Sequence, residues 1–177
     1  LVGSEMCIRD RCGNEHFRQG HLACYVRFVR LCNSKGVNKM TSKIIRALAY
    51  NDEIRVFVID GIEVVETARK IHETWYTSTA AMGRMIMATS LLAMNLKGSD
   101  RLVTVIEGQG AIGRIVVHGN SHGEIRAAID HPHVSLPLNE QGKIDVSAGI
   151  GLPGFLTVSK YIENMEPFNG TVELISG

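Results

Sequence analysis

Gly108-Gln-Gly110-Ala-Ile-Gly113 is the stretch of this chain whose spacing most directly suggests chemistry. A G-x-G-x-x-G after a strand lets main-chain amides cradle a pyrophosphate, and Asp130 lies near the offset where an acid would hold a ribose. That mechanism needs a helix N-terminus directly after the glycines. Here Arg114-Ile-Val-Val-His118 follows, a β-branched run that reads as strand. The expectation is therefore a hairpin turn, with a nucleotide-dependent enzyme using the Gly108–Gly113 loop kept as the alternative. A second constellation is His118, His122, His131 and His133. Four imidazoles would hold a transition metal only if they converged, and Gly119, Gly123 and Pro132 beside them indicate turns. Loop histidines are the expectation, and a His-based metal-binding module is the other alternative. No Ser stands in a nucleophile elbow and no two carboxylates pair as acid and base, so no residue receives a catalytic role.

The thiols are confined to one end. Cys7, Cys12, Cys24 and Cys32 all precede Met40, with four, eleven and seven residues between them, a spacing that fits no common zinc pattern. The long body after Met40 has no cysteine, unlike a small secreted disulfide scaffold, and is expected to be cytoplasmic.

The element that must position everything else spans residues 77–97. Thr77 to Thr79 offer hydroxyls for an N-cap, and Gly98 stands where a left-handed residue would end the helix. Met82, Met85, Ile86, Leu91, Leu92, Met94 and Leu96 leave little room for a solvated face, so the helix should be buried. Gly83 costs up to about 1 kcal/mol relative to Ala in mid-helix, which close packing by a neighbour would offset. The charge-free run from residue 85 to 96 is too short for a membrane span, which needs about 20 apolar residues. Methionine surfaces can also adapt to many partners, so Met82, Met85 and Met94 are candidates for binding as well as for core packing.

Around that helix the chain divides into two styles. Residues 54–59 are dense in β-branched and aromatic side chains and end at Asp60-Gly61, predicting a strand. Val64, Val65, Ala68, Ile71 and Trp75 then fall at helical spacing. After Gly98 come twelve of the 18 glycines, punctuating apolar runs at residues 102–107, 112–118, 124–129, 143–146, 155–161 and 171–175. Short strands with glycine turns indicate antiparallel sheet, so the fold class is α+β, with helices early and a β-rich second half.

The 177 residues carry a net charge of +1, but residues 1–39 hold seven Lys/Arg against three Asp/Glu while the remainder is acidic. No dense basic stripe exists, so nucleic acid is not suggested. Residues 1–39 also lack periodicity, and Val2-Gly-Ser-Glu-Met-Cys-Ile-Arg-Asp-Arg11 resembles a translated sequencing adapter. They are expected to be a loosely structured, non-native leader, with the body running from residue 40 to 177.

The ordered motifs of that body resemble a known family, the redox-regulated 33 kDa heat-shock chaperones. Ala80-Ala-Met-Gly83-Arg84 is similar to the family's Ala-Leu-Gly-Arg helix motif, and Leu96-Lys-Gly98 to its Leu-Lys-Gly helix end. Gly108, Gly110 and Gly113 resemble its Gly-Asp-Gly hairpin, and Gly142-Lys-Ile-Asp-Val146 with Gly149, Gly151 and Gly154 continues the match. Pro167-Phe-Asn-Gly-Thr-Val-Glu-Leu-Ile-Ser-Gly177 resembles its Pro-Tyr-x-Gly-x-Val-x-Leu-x-Ser-Gly segment. Arg126-Ala-Ala128 departs from the usual Arg-Gly-Tyr, and Phe168 from the usual Tyr.

The resemblance implies an ATP-independent holdase that binds unfolding or oxidatively damaged clients, is not an enzyme, and dimerises when active. It assigns fold-defining roles to Gly83, Arg84, Gly98, Gly108, Gly110 and Gly113. In the family, four C-terminal thiolates of a C-x-C…C-x-x-C module hold zinc, and oxidation releases the metal and unfolds the module. That motif does not occur in this sequence, so the chain is expected to be an incomplete client-binding domain without zinc ligands. Met82, Met85, Met94, Phe155 and Tyr161 are the candidate client-contacting residues.

Overall fold

The computed structural model describes residues 42–51 and 53–175 in full. Before them it describes the main chain of three strands, β1 (His16–Gln19), β2 (Leu22–Asn33) and β3 (Gly36–Val37). These strands fall within residues 1–39, the stretch expected to be a loosely structured leader. β2 pairs antiparallel with β4 (Ser42–Ala49), from Ala23↔Leu48 to Val29↔Ser42, and its far end runs parallel to β8 (Glu124–Ile129). Ladder bonds are made by the main chain, so the arginines that interrupt the segment do not prevent pairing. The remaining residues of that stretch lie outside those described.

β4 turns back into β5 (Ile54–Asp60) through Tyr50 and Asn51, both at positive φ, which matches the right-handed twist of the flanking strands. Among the described residues β5 is an edge of the sheet, whose order is β10-β9-β6-β7-β8-β2-β4-β5. Four consecutive neighbours on the other side are antiparallel. These are β10 (Phe168–Leu174), β9 (Gly154–Tyr161), β6 (Arg101–Gly108) and β7 (Ile115–Asn120).

Two helices separate the strand groups. α1 (Ile62–His72) buries Val64, Thr67 and Ala68, and the Ser42 hydroxyl accepts from the Val64 amide at 3.0 Å. The predicted apolar stripe is only partly used, because Ile71 and Trp75 are exposed. α2 (Tyr76–Ala93) lies across β6, β7 and β8. Period-2 alternation along those strands aims Leu102 and Thr104, Ile115 and Val117, and Ile125 at the helix, all buried. Against them α2 presses Ala81, Met82, Met85 and Ile86 in one apolar cluster.

Three local expectations are corrected. α2 stops at Ala93, not residue 97, because the next three amides bond three residues back (Met94 to Leu91, Asn95 to Leu92, Leu96 to Ala93), tightening the chain out of the α-helix. Gly98 is left-handed at φ 53° but sits beyond that tightened turn. The hydroxyls of Thr77 to Thr79 do not cap the helix. Thr77 accepts from the Leu136 amide (2.9 Å), Ser78 donates to the His131 carbonyl (3.0 Å), and Thr79 bonds Thr74 (2.7 Å). Thr77 and Ser78 thus tie the 131–136 segment to the helix start, and Thr79 ties that start to Thr74 just before it. Finally, residues 143–146 are not a strand: Ile144 makes one isolated bridge to Leu138, and the chain enters the short helix α3 (Val146–Ile150). Asp145 caps it by accepting from the Ala148 amide at 2.9 Å, which outweighs the β-branched neighbours.

Candidate functional site

The loop at Gly108–Gly113 joins antiparallel β6 to β7. Its amides are already used: Gly110 donates to the Ile150 carbonyl (2.7 Å), Ile112 to Gly149 (3.0 Å) and Gly113 to Gly110 (3.3 Å). A Cβ at Gly108 or Gly110 would collide with the carbonyls of Ile150 and Gly149. The glycines therefore let two stretches of main chain meet, and none of these three amides is left for a phosphate. Gly113 takes φ 72° with Asp130 beside it, and the Asp130 carboxylate accepts from the Arg114 amide (3.1 Å). That is the local duty of the acid which spacing had offered to a ribose.

The histidines separate. His118 is exposed on β7 opposite Arg126, which corrects its placement in a loop. His122 lies in the following turn, where Asn120 Oδ1 accepts from its amide (2.9 Å). His131 donates its amide to the Ile112 carbonyl (3.2 Å), and the His133 ring sits 5.5 Å from that of Trp75. Among the described residues no three His, Cys, Asp or Glu side chains form a group that could hold a metal.

The candidate client residues divide sharply. Met82 is fully buried, Met85 nearly so, and Met94 packs half-buried against the core. In this conformation a client cannot reach Met82, whose side chain completes the core. Phe155 and Tyr161 are about two-fifths exposed on the face of β9 turned away from α2, with Thr157 and Ser159 between them. Gly83 packs against α1: a Cβ there would stand 2.8 Å from a Val65 methyl. Arg84 is exposed, and its guanidinium has no ion pair among the described residues.

Three apolar surfaces remain open. Ile45, Ile54, Val56 and Val58 share the outer face of the β4–β5 ribbon, paired as Ile45↔Val58 and Ala49↔Ile54. Phe168 and Val172 overhang the helix side of β10. The third surface is a cleft of about 1020 Å³ between α1 and α2, bounded by Ser135 and Ile144. Trp75 and Tyr76 stand at its rim, 55% and 77% exposed, and Val65, Ala80, Gly83 and Met87 line it. Sequence reasoning set Trp75 on the apolar stripe of α1 and gave Tyr76 no role, so it missed the pair as an exposed rim. The available signal was two consecutive aromatics, Trp75 and Tyr76, among polar residues. On the α1 wall, Arg69 grips Glu66 with two bonds of 2.8 Å. The hydrogen bond from Arg69, opposed by desolvation and aided by Lys70, holds the Glu66 carboxyl down at about 2.

The chain has recognisable relatives. A family model described as Hsp33 protein matches residues 42–177. The 33 kDa chaperonin of Latilactobacillus sakei subsp. sakei (strain 23K) is 41% identical over 139 residues, 78% of this chain and 48% of the relative. That of Staphylococcus aureus (strain JH9) is 42% identical over 134 residues, 76% of this chain and 46% of the relative. This chain thus spans just under half the length of these curated relatives. The crystal structure of the 33 kDa chaperonin (heat shock protein 33 homolog) of Thermotoga maritima superposes with a TM-score of 0.72 at 35% identity, covering 76% of this chain and 46% of that one.

Proposed function

The chain belongs to the Hsp33 family, and on that premise we propose that it forms the polypeptide-binding part of an ATP-independent holdase chaperone. The observation that carries the proposal is the family match across residues 42–177, the same residues that present the three open apolar surfaces. Such surfaces bind by removing apolar area from water, at roughly 25 cal/mol per Å², and need no covalent step. A client whose core is exposed offers the same kind of area, and association hides both. The chaperone therefore acts as a surface and not as a catalyst.

Redox control belongs to the proposal through chemistry outside this body. A thiol switch needs thiols, and the sequence after Cys32 contains none. Residues 42–175 thus contribute binding surface, and we place the protein's work in the cytoplasm, among unfolding proteins and with a second copy as a possible assembly partner. Among the described residues no helix is long and apolar enough to cross a membrane.

The test is light scattering from a thermally unfolding client mixed with equimolar chain. Scattering is expected to fall without ATP and to be indifferent to added nucleotide. Unchanged scattering, or suppression that appears only with nucleotide, would overturn the reading.

A further inference from the structure

The cleft between α1 and α2 combines three features that a core-facing groove lacks. Its apolar floor is Val65, Ala80, Gly83 and Met87, and Met87 has the flexible stem that lets a surface adapt to varied shapes. Its rim holds an aromatic anchor fixed in place. The Trp75 amide donates to the Pro132 carbonyl (2.9 Å), and its own carbonyl accepts from the Thr79 amide (2.7 Å). The ring nevertheless remains 55% exposed, leaning on His133. An aromatic held by its backbone loses little freedom on binding, and Trp, Tyr and Arg are the residues that dominate interface energies.

The third feature is charge. Among the described residues no Asp or Glu lines the cleft, and of the two arginines there Arg69 is neutralised by Glu66. Arg84 is left with no carboxylate among the described residues, so the cleft carries uncompensated positive charge beside apolar floor. A volume of about 1020 Å³ lies at the upper end of the roughly 300–1,000 Å³ of small-ligand sites, enough for a short extended peptide.

We infer that this cleft is a docking site for extended segments of unfolded polypeptide in which an aromatic or long aliphatic residue stands next to Asp or Glu. The apolar side chain packs between Trp75 and Met87, and the neighbouring carboxylate pairs with Arg84. Segments carrying Lys or Arg at the same place are disfavoured by like charge. The inference rests on the chaperone reading and names the chemistry of the clients it would prefer.

Trp75 is the chain's one tryptophan, so its emission reports this cleft alone. The probes are an acetylated, amidated Asp-Leu-Phe-Asp-Leu peptide and its counterpart with Lys in place of Asp, titrated into the 177-residue chain. Saturable change with the acidic peptide is expected, with the basic one weaker by on the order of tenfold or more. Arg84→Glu should reverse that order and Arg84→Lys should keep it. Thermal melts should coincide with the parent's, because Arg84 is exposed and has no ion pair among the described residues. Equal response to both peptides, or an order unchanged in Arg84→Glu, would overturn the inference. Client aggregation separates this failure from that of the chaperone reading. If the parent and Arg84→Glu suppress the aggregation of an acidic client equally, the cleft is not the site although the holdase activity stands. If the peptides titrate as expected while no client is protected, the cleft stands and the holdase reading goes.

Discussion

The two sides of α2 are built from the same kinds of residue and do opposite work. Its inner side holds Ala81, Met82, Ile86, Thr89, Ser90 and Ala93, all buried, and each polar hydroxyl there has a partner. Thr89 bonds Thr104 across the helix–sheet boundary, and Ser90 donates to the Ile86 carbonyl at 2.7 Å. Its outer side holds Tyr76, Ala80, Gly83, Arg84 and Met87, which face the cleft and leave Tyr76 and Arg84 without partners in the core. Both sides carry a methionine. Hydropathy alone therefore does not separate core from binding surface. What separates them is how completely another element covers the face: among the described residues the ten-stranded sheet closes over the inner side, whereas α1 covers the outer side only in part.

This contrast can be broken by substitution. The largest effect is expected for Met82→Ala, which opens a cavity in a fully buried site and should lower unfolding free energy by about 2–5 kcal/mol in denaturant titration. Met87→Ala, on the cleft side, should cost much less, and equal losses at the two methionines would erase the distinction. Thr89→Val keeps the shape but removes the partner of Thr104, for an expected loss of about 1–2 kcal/mol, since Thr104 keeps only a longer bond to the Val117 carbonyl (3.4 Å). Gly83→Ala sets better helix propensity against contact with the Val65 methyl, and should destabilise by about 1 kcal/mol net. Tyr76→Ala, exposed on the outer side, should leave stability within about 0.5 kcal/mol while weakening peptide binding in the cleft.

The smallest effect concerns the outer wall formed by α1. The Glu66 carboxyl is held at about 2 against an ordinary 4.5, so its pairing with Arg69 and Lys70 is fully present above pH 4.5. It is lost as the pH falls through about 2. A carbon-detected NMR titration should place the Glu66 midpoint near that lower value, and Arg69→Gln should move it up towards 4.5. An unshifted midpoint in the parent would show that the pair does not persist in solution.

Much of this was legible in the residues. The buried helix, the strand at residues 54–60 and the antiparallel second half follow from periodicity and glycine punctuation, and the order of short motifs pointed to the family that the comparisons show. The hairpin at Gly108–Gly113 was readable because a β-branched run followed it. The reason its glycines are needed was not, since it depends on main chain some forty residues later, at Gly149 and Ile150. The helix ends were misread because Thr77 and Ser78 look alike as caps and as tethers, and only the position of the 131–136 segment decides between them.

By itself the sequence determined the long apolar helix, the strand at residues 54–59 and most of the strands after Gly98, because those follow from local φ/ψ preference and the spacing of side chains along one element. Tertiary structure alone decided that Met82 lies under the sheet while Trp75 and Tyr76 face open water and Met87 lines the cleft, and that Arg84 has no ion pair among the described residues. Burial is a property of pairs of faces: no residue's own chemistry states whether another surface will arrive to cover it.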